Sequence, residues 1–135
     1  MSLPSWPQPQ VDAHNRPYFE AIAERRLCVQ RCGACATWLA PGQLYCDACG
    51  APDPGWRQVA GDGELYSFVV YHRAFHPDFE QVLPWTVGLV ELSEGPRLLA
   101  PLLGMDTDRP RVGMAVQADF ENGAGGQRRL VFRPA

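Results

Sequence analysis

The segment RCGACATWLAPGQLYCDACG, residues 31–50, carries four cysteines in two Cys-x-x-Cys pairs. The first pair is Cys32 and Cys35, and the second is Cys46 and Cys49. Two pairs at this spacing can bring four thiolates together around one soft metal ion, and zinc is the metal that such a ligand set favours. Iron in the same sulfur cage is the alternative. A thioredoxin-like redox pair is disfavoured, because neither pair lies in a βαβ context.

A site with four protein ligands is structural rather than catalytic, because it leaves no coordination position for water or substrate. A metal-binding free energy on the order of 10 kcal/mol would hold together a unit of roughly 30 residues that has little apolar core. We predict that Gly33 and Gly50 provide tight turns which let backbone N–H groups approach the sulfurs. Pro41-Gly42 is predicted to reverse the chain between the pairs.

The residues before the first pair predict a short amphipathic helix and then a strand. Asn15 can cap the helix and Pro17 suits its first turn. The apolar positions that follow at helical spacing are Phe19, Ile22, Ala23 and Leu27. The fifth cysteine, Cys28, lies in an apolar run, so we predict a buried strand thiol rather than a reactive group.

Residues 1–11 form an arm in which three prolines surround Trp6. This composition favours an extended, polyproline-like chain and excludes a helix. Two interpretations stay open, a frayed terminus or a segment that grips a partner with Trp6 as its anchor.

After Gly61 the helical period disappears, and short β-rich runs separated by turn residues predict a small all-β unit. The five predicted strands are residues 64–71, 86–92, 97–103, 115–120 and 129–133. Five short strands within about 70 residues fit an OB-type barrel, with a partial sandwich as the competing fold. The predicted fold is therefore mainly β and divides into an N-terminal arm and helix (1–27), a metal ribbon (28–57) and an OB-fold domain (58–135).

Composition excludes several function classes. All 12 basic residues are arginine, so Schiff-base lysines and Walker-type phosphate loops are absent. The formal net charge of -3 argues against a general nucleic-acid or membrane binder, because both depend on clustered positive charge. No apolar run reaches the length of a membrane span and the N-terminus has no signal-peptide pattern, so we expect a cytoplasmic protein.

The connection 72–85, HRAFHPDFEQVLPW, is long and rich in aromatic residues, as functional loops often are. We predict that it forms the rim of a pocket or a contact surface. A second metal site on His72 and His76 is disfavoured, because Pro77 ends the segment and no general-base glutamate accompanies the pair. The alternative is a loop that simply packs on its own domain.

The order helix, four-cysteine segment, Trp56 and then GDGELYSFVV (61–70) resembles the rubredoxin-like zinc-ribbon plus OB-fold family of acyl-CoA-associated proteins, long catalogued as a domain of unknown function. The resemblance continues through PWTV (84–87), VELSEGPR (90–97) and VGMAV (112–116). The chain departs from the family pattern at Ala36, where glycine is frequent, and at Asp47, where proline is common.

This resemblance implies a non-catalytic accessory subunit that forms a hetero-oligomer with a thiolase-fold enzyme: a thiolase, an acyltransferase or an aldolase of the lipid-transfer-protein type. It also implies a structural zinc and a role in binding or channelling coenzyme A or acyl-CoA, as in lipid or steroid side-chain degradation. The expected acyl-CoA or partner contacts are Trp6, Phe19, His72, Arg73, Phe75, His76, Phe79 and Trp85.

Two further hypotheses stay open. The chain could be a single-stranded nucleic-acid-binding protein with a stacking and phosphate face made of Tyr66, Phe68 and Arg129, although its net charge counts against this. It could also be a domain detached from a larger hydratase or aldolase chain, which would equally explain the lack of a catalytic set.

Overall fold

The computed structural model describes residues 10–75, 77–123 and 127–135. Trp6, His76 and residues 124–126 therefore lie outside the described residues. One helix, α1 (Arg16–Ala23), precedes a three-stranded antiparallel sheet. The sheet has the order β2-β1-β3 and consists of β1 (Leu27–Arg31), β2 (Trp38–Leu39) and β3 (Gly55–Val59).

The remaining strands close into a barrel with the order β4-β5-β6-β8-β7. They are β4 (Asp62–Tyr71), β5 (Trp85–Leu92), β6 (Arg97–Leu102), β7 (Ala115–Asn122) and β8 (Arg128–Pro134), and a 3-10 helix (Pro77–Val82) lies between β4 and β5. All neighbours are antiparallel except β6 and β8, which meet in parallel at Leu102 and Phe132. The predicted OB-type barrel is confirmed, and the partial sandwich is wrong.

Helix α1 ends earlier than its apolar spacing predicts, because Leu27 opens β1 instead of continuing the helix. The chain turns at Arg25, whose φ is 61°. The N–H of Arg26 donates to the carbonyl of Ala21 over 2.8 Å, and that of Arg25 donates to Ile22 over 3.0 Å. These two bonds form a Schellman motif, which stops the helix although no glycine is present.

The start of α1 also differs in detail from the expected cap. Asn15 occupies the N-cap position, but its side chain makes no capping hydrogen bond. Its Oδ1 accepts from the N–H of Asp12 over 2.8 Å, and its Nδ2 donates to the carbonyl of Gln10 over 3.0 Å. Asn15 therefore fixes the approach of residues 10–12 to the helix.

The main core lies inside the barrel and continues under the helix and the three-stranded sheet. Phe132, Leu65 and Val90 are fully buried at its centre. Ile22 of α1, together with Leu27 and Val29 of β1, belongs to the same apolar cluster. The near end of the sheet is thus packed on the barrel, whereas the cysteines lie at its far end. The boundaries 1–27, 28–57 and 58–135 remain a prediction.

The barrel requires glycine where strands approach closely. A Cβ on Gly63 of β4 would lie 2.4 Å from the carbonyl oxygen of Glu91 on β5. No helix in the described part of the chain is both long and apolar enough to cross a bilayer.

Candidate metal centre and contact surfaces

The first cysteine pair directly follows β1 and folds into a tight turn around the sulfur of Cys32. The N–H groups of Ala34 and Cys35 point at this sulfur from 3.3 and 3.4 Å. The N–H of Ala36 donates to the carbonyl of Cys32 over 3.0 Å, and that of Cys32 donates to Thr37 over 2.9 Å. The turn presents both sulfurs on one side of the chain.

The second pair repeats this turn. The N–H of Ala48 approaches the sulfur of Cys46 at 3.4 Å, and the N–H of Gly50 donates to the Cys46 carbonyl over 2.9 Å. Gly50 has φ 78° and its counterpart Ala36 has φ 64°, so both turns need a left-handed residue four positions after the first cysteine. The prediction for Gly33 is wrong: its φ is not positive, and a Cβ there would meet nothing within 4 Å. The departure from glycine at Ala36 places the strain of a left-handed alanine in the first turn.

The four cysteine sulfurs lie within 4.8 Å of one another. Cys32 and Cys49 are 3.6 Å apart at Sγ, as are Cys35 and Cys46. A disulfide would require about 2.05 Å, whereas four sulfurs at about 2.3 Å from one zinc ion are separated by about 3.8 Å. The spacing is therefore that of ligands around a shared ion.

The pKa values of the clustered thiols also favour the binding of a cation. The hydroxyl and the N–H of Thr37 lower the pKa of the Cys35 thiol to about 6. The N–H of Ala51 lowers the pKa of Cys49, but the neighbouring thiols of Cys32 and Cys35 raise it by more, to about 12. Four crowded sulfurs cannot all become thiolates without a compensating positive charge. A divalent soft metal supplies that charge and would be held by all four.

Cys28 lies outside this cluster. It is buried in β1, as predicted, and a guanidinium nitrogen of Arg26 lies 3.9 Å from its sulfur. Among the described residues, the four clustered cysteines are the only group of His, Cys, Asp or Glu side chains positioned to hold a metal ion. A second metal site that uses His72 finds no support in these residues.

Sequence reasoning missed Gln30, a buried polar residue on β1 that is 3% exposed. Its amide Nε2 donates to the carbonyls of Gln43 and Pro54 over 3.0 and 3.2 Å, and its Oε1 accepts from the N–H of Gln43 over 2.7 Å. A glutamine in the otherwise apolar start of a strand, two residues before Cys32, is the signal that could have drawn attention to it.

The expected contact residues of the 72–85 loop build an aromatic stack at the ends of β4 and β5. Trp85 is stacked between Tyr71 and Phe79, with ring centroids 5.3 and 5.0 Å away. Phe75 meets Tyr71 edge to face at 6.2 Å and is 79% exposed. Arg73 is exposed, with its guanidinium 5.9 Å from the Phe75 ring centroid. His72 is also exposed.

Phe19 lies apart from this stack, on α1, between two grooves. One groove, of about 590 Å³, runs between α1 and strands β6 and β8 and includes Leu99 and Arg129. The other, of about 410 Å³, is lined by Pro41 and Leu98 as well as by Phe19. The expected contact residues that the structure describes therefore form two separate surfaces rather than one.

The three residues of the nucleic-acid hypothesis do not share a face. Tyr66 is exposed on β4, and Arg97 covers its ring at 3.8 Å. Phe68 packs against the barrel core. Arg129 lines the groove beside α1, and desolvation lowers its pKa. The geometry gives no stacking platform from this set.

Comparison with known proteins gives a match to the family model described as "ChsH2, C-terminal OB-fold domain" over residues 56–121. A solved chain described as "Ltp2-ChsH2(DUF35) aldolase" is 40% identical with a TM-score of 0.84, and the match covers 94% of this chain and 98% of that one.

Two curated relatives are similar as well. A "Probable enoyl-CoA hydratase alpha subunit" from Thermomonospora curvata is 41% identical over 96% of this chain, which spans only 40% of that relative's length. A "DUF35 domain-containing scaffold protein" from Methanocaldococcus jannaschii is 30% identical over 67% of this chain and 64% of its own length. Since the ChsH2 (DUF35) chain matches over almost its full length with the same fold, this chain belongs to the ChsH2/DUF35 family.

Proposed function

We propose that this chain is a non-catalytic subunit that binds a thiolase-like or aldolase enzyme and helps that enzyme to bind or channel acyl-CoA. The observation that carries the proposal is the near-complete match to a ChsH2(DUF35) chain whose description names an aldolase together with Ltp2. The word "scaffold" in the description of an archaeal relative points in the same direction. The acyl-CoA class is supported by the hydratase name of the Thermomonospora relative, and lipid or steroid side chains are the substrates that the family resemblance implies.

The polar chemistry of the chain supports a non-catalytic role. The clustered cysteines are the only assembled group of potential metal ligands among the described residues, and a full set of four ligands leaves no site for substrate. We propose that they bind one zinc ion, which supplies structural cross-linking and no reaction step. We also propose that the isolated chain shows no thiolase, hydrolase or aldolase turnover of its own.

Two surfaces are proposed for docking and for acyl-CoA. The aromatic stack presents Phe75 at 79% exposure, and β6 presents Leu99 at 70% exposure beside the α1 groove. Exposed aromatic and aliphatic side chains of this size are typical anchors of protein interfaces. The cationic rim formed by Arg128 and Arg129 on the α1 groove suits an anionic group such as a phosphate of coenzyme A.

The test is binding of the zinc-loaded chain to a co-purified aldolase or thiolase subunit, measured between about 50 and 200 mM salt. An apolar interface keeps its affinity over this range, whereas binding through six or more phosphates loses orders of magnitude. We expect a salt-tolerant complex and no tight binding to single-stranded oligonucleotides. Tight oligonucleotide binding with a steep salt slope that Arg129→Ala flattens would contradict the proposal.

A further inference from the structure

Gln30 lies where the two cysteine turns are joined. It belongs to β1, the central strand of the sheet, and pairs with Leu39 on one side and Trp56 on the other. Its side chain leaves the sheet and reaches Gln43 and Pro54, the residues that flank the second cysteine turn. Cys32 follows Gln30 by two residues, so one amide connects the strand of the first turn to both ends of the second.

The second turn forms the tip of a small hairpin made of residues 43–54. The N–H of Cys46 donates to the Ala51 carbonyl over 2.8 Å, and the N–H of Asp53 donates to Leu44 over 3.0 Å. Tyr45 and Pro52 form a further bridge. Gln30 donates one hydrogen to each arm of this hairpin and so closes it at the base, opposite the cysteines.

Apart from a shared metal, little else fastens this hairpin to the first turn. The apolar contact between them is a cluster of three buried residues, Cys32, Leu39 and Cys46, with Ala51 against it. Both the nitrogen and the oxygen of the Gln30 amide make hydrogen bonds to the hairpin. The residue is almost completely buried. A buried, satisfied amide fixes one geometry, because any shift of the hairpin would leave its donors unpaired.

We infer that Gln30 is the positioning residue of the metal centre: its amide holds the two cysteine turns at ligand spacing, so that metal release requires this clamp to open. The inference rests on the proposed zinc site. Outer-shell residues that orient metal ligands typically change affinity by about 10- to 100-fold when they are removed. The Gln30 amide bonds to backbone groups of the hairpin and not to a cysteine sulfur. We therefore expect a change in zinc affinity at the lower end of this range.

The experiment measures zinc transfer from the full chain to an excess of a chromogenic chelator at constant temperature. Gln30→Met keeps the length of the side chain and removes all three hydrogen bonds, whereas Gln30→Glu keeps the acceptor and places negative charge against two carbonyl oxygens. Both variants should release zinc about 10-fold faster than the parent chain. The Co²⁺-loaded variants should show shifted ligand-field bands, because the angles between the sulfurs change.

Two controls separate positioning from general stability. Gln58→Met makes the same change at an exposed site on β3 and should leave release unchanged. Val131→Ala removes a buried barrel side chain, so it should lower Tm but leave the release rate and the cobalt spectrum unaltered. Release at the parent rate from both Gln30 variants, or equal acceleration by Val131→Ala, would overturn the inference. If the parent chain binds no stoichiometric zinc, or Cys46→Ser retains it, the proposed zinc site itself fails.

Discussion

The barrel and the cysteine turns are built on different physical principles. In the described part of the chain, thirteen buried apolar residues form the main core, which unites the barrel with the near end of the ribbon sheet. Among the described residues, the apolar cluster at the far end has three buried members, two of which are the cysteines Cys32 and Cys46. Burial of apolar area stabilises the first region, whereas the second has a few hydrogen bonds and four sulfurs that are placed to bind a shared ion.

The difference explains how so small a chain can present two surfaces. The 72–85 loop and helix α1 rest on the barrel, and their aromatic residues do not depend on the metal for support. The cysteine turns extend the sheet beyond the barrel and contain few buried apolar residues. A change in one region should therefore leave the other largely intact.

The largest effect is expected from Cys46→Ser. Loss of one thiolate should abolish stoichiometric zinc binding and disorder the turns, because metal coordination contributes on the order of 10 kcal/mol to comparable sites. Metal analysis of the purified chain checks this. Cys28→Ser is the matched control and should retain one zinc per chain, since Cys28 lies outside the cluster. Equal metal loss from both variants would mean that the ligand set is misassigned.

Phe132→Ala should destabilise the barrel rather than the cysteine turns. The side chain is fully buried in the barrel, so the free energy of unfolding should fall by about 3–5 kcal/mol. Chemical denaturation of the zinc-loaded chain measures this change, and the zinc content of the folded fraction should stay at one per chain. Phe75→Ala, at an exposed ring, should leave stability nearly unchanged. A loss of metal in Phe132→Ala would show that the two regions are not independent.

Phe75→Ala should instead weaken the complex with the partner enzyme. Removal of an aromatic anchor at an interface typically costs about 1–3 kcal/mol, which corresponds to roughly a 5- to 150-fold rise in Kd. Titration calorimetry with the partner measures it. Val112→Ala, at another exposed apolar site in a different loop, serves as the comparison. Identical Kd values for the two variants would show that the aromatic stack does not contribute to the interface.

The smallest effect is expected at Asp119, where the turn after α1 meets the barrel. Its carboxylate accepts from the N–H of Phe120 and pairs with Arg133 at 2.8 Å and Arg25 at 3.5 Å. The Phe120 N–H and then Arg133 lower the pKa of Asp119. A depressed folded-state pKa adds stability that is fully present above the ordinary carboxyl pKa of about 4, and this contribution is lost as the pH falls through the lowered folded-state pKa.

Because the pair is about one third exposed, Asp119→Asn should cost only a few tenths of a kcal/mol at pH 7. Urea unfolding at pH 7 and pH 3 should show that difference at the higher pH and a smaller one at the lower pH. Asp106→Asn, at an exposed loop position, should show no difference at either pH. A larger loss of stability for Asp119→Asn at pH 3 than at pH 7 would contradict the expected pH dependence.

The sequence predicts the cysteine cluster and all five barrel strands because both depend on local spacing. Cys-x-x-Cys fixes the turns, and alternation along β7 and β8 places Val116, Leu130 and Phe132 inside. The end of α1 was missed, since Leu27 satisfies a helical period while the left-handed Arg25 redirects the chain. Gln30 was missed because its partners lie 13 and 24 residues away in the chain. No periodicity reveals such a contact.

Removal of the metal tests the contrast between the two regions most directly. Two-dimensional amide NMR of the zinc-loaded chain, recorded before and after treatment with a strong chelator, reports on both at once. We predict that the resonances of residues 32–36 and 46–51 collapse to disordered positions, while those of β4 to β8 stay dispersed and close to their original shifts. Retention of the turn resonances without metal, or loss of dispersion throughout the barrel, would contradict this account.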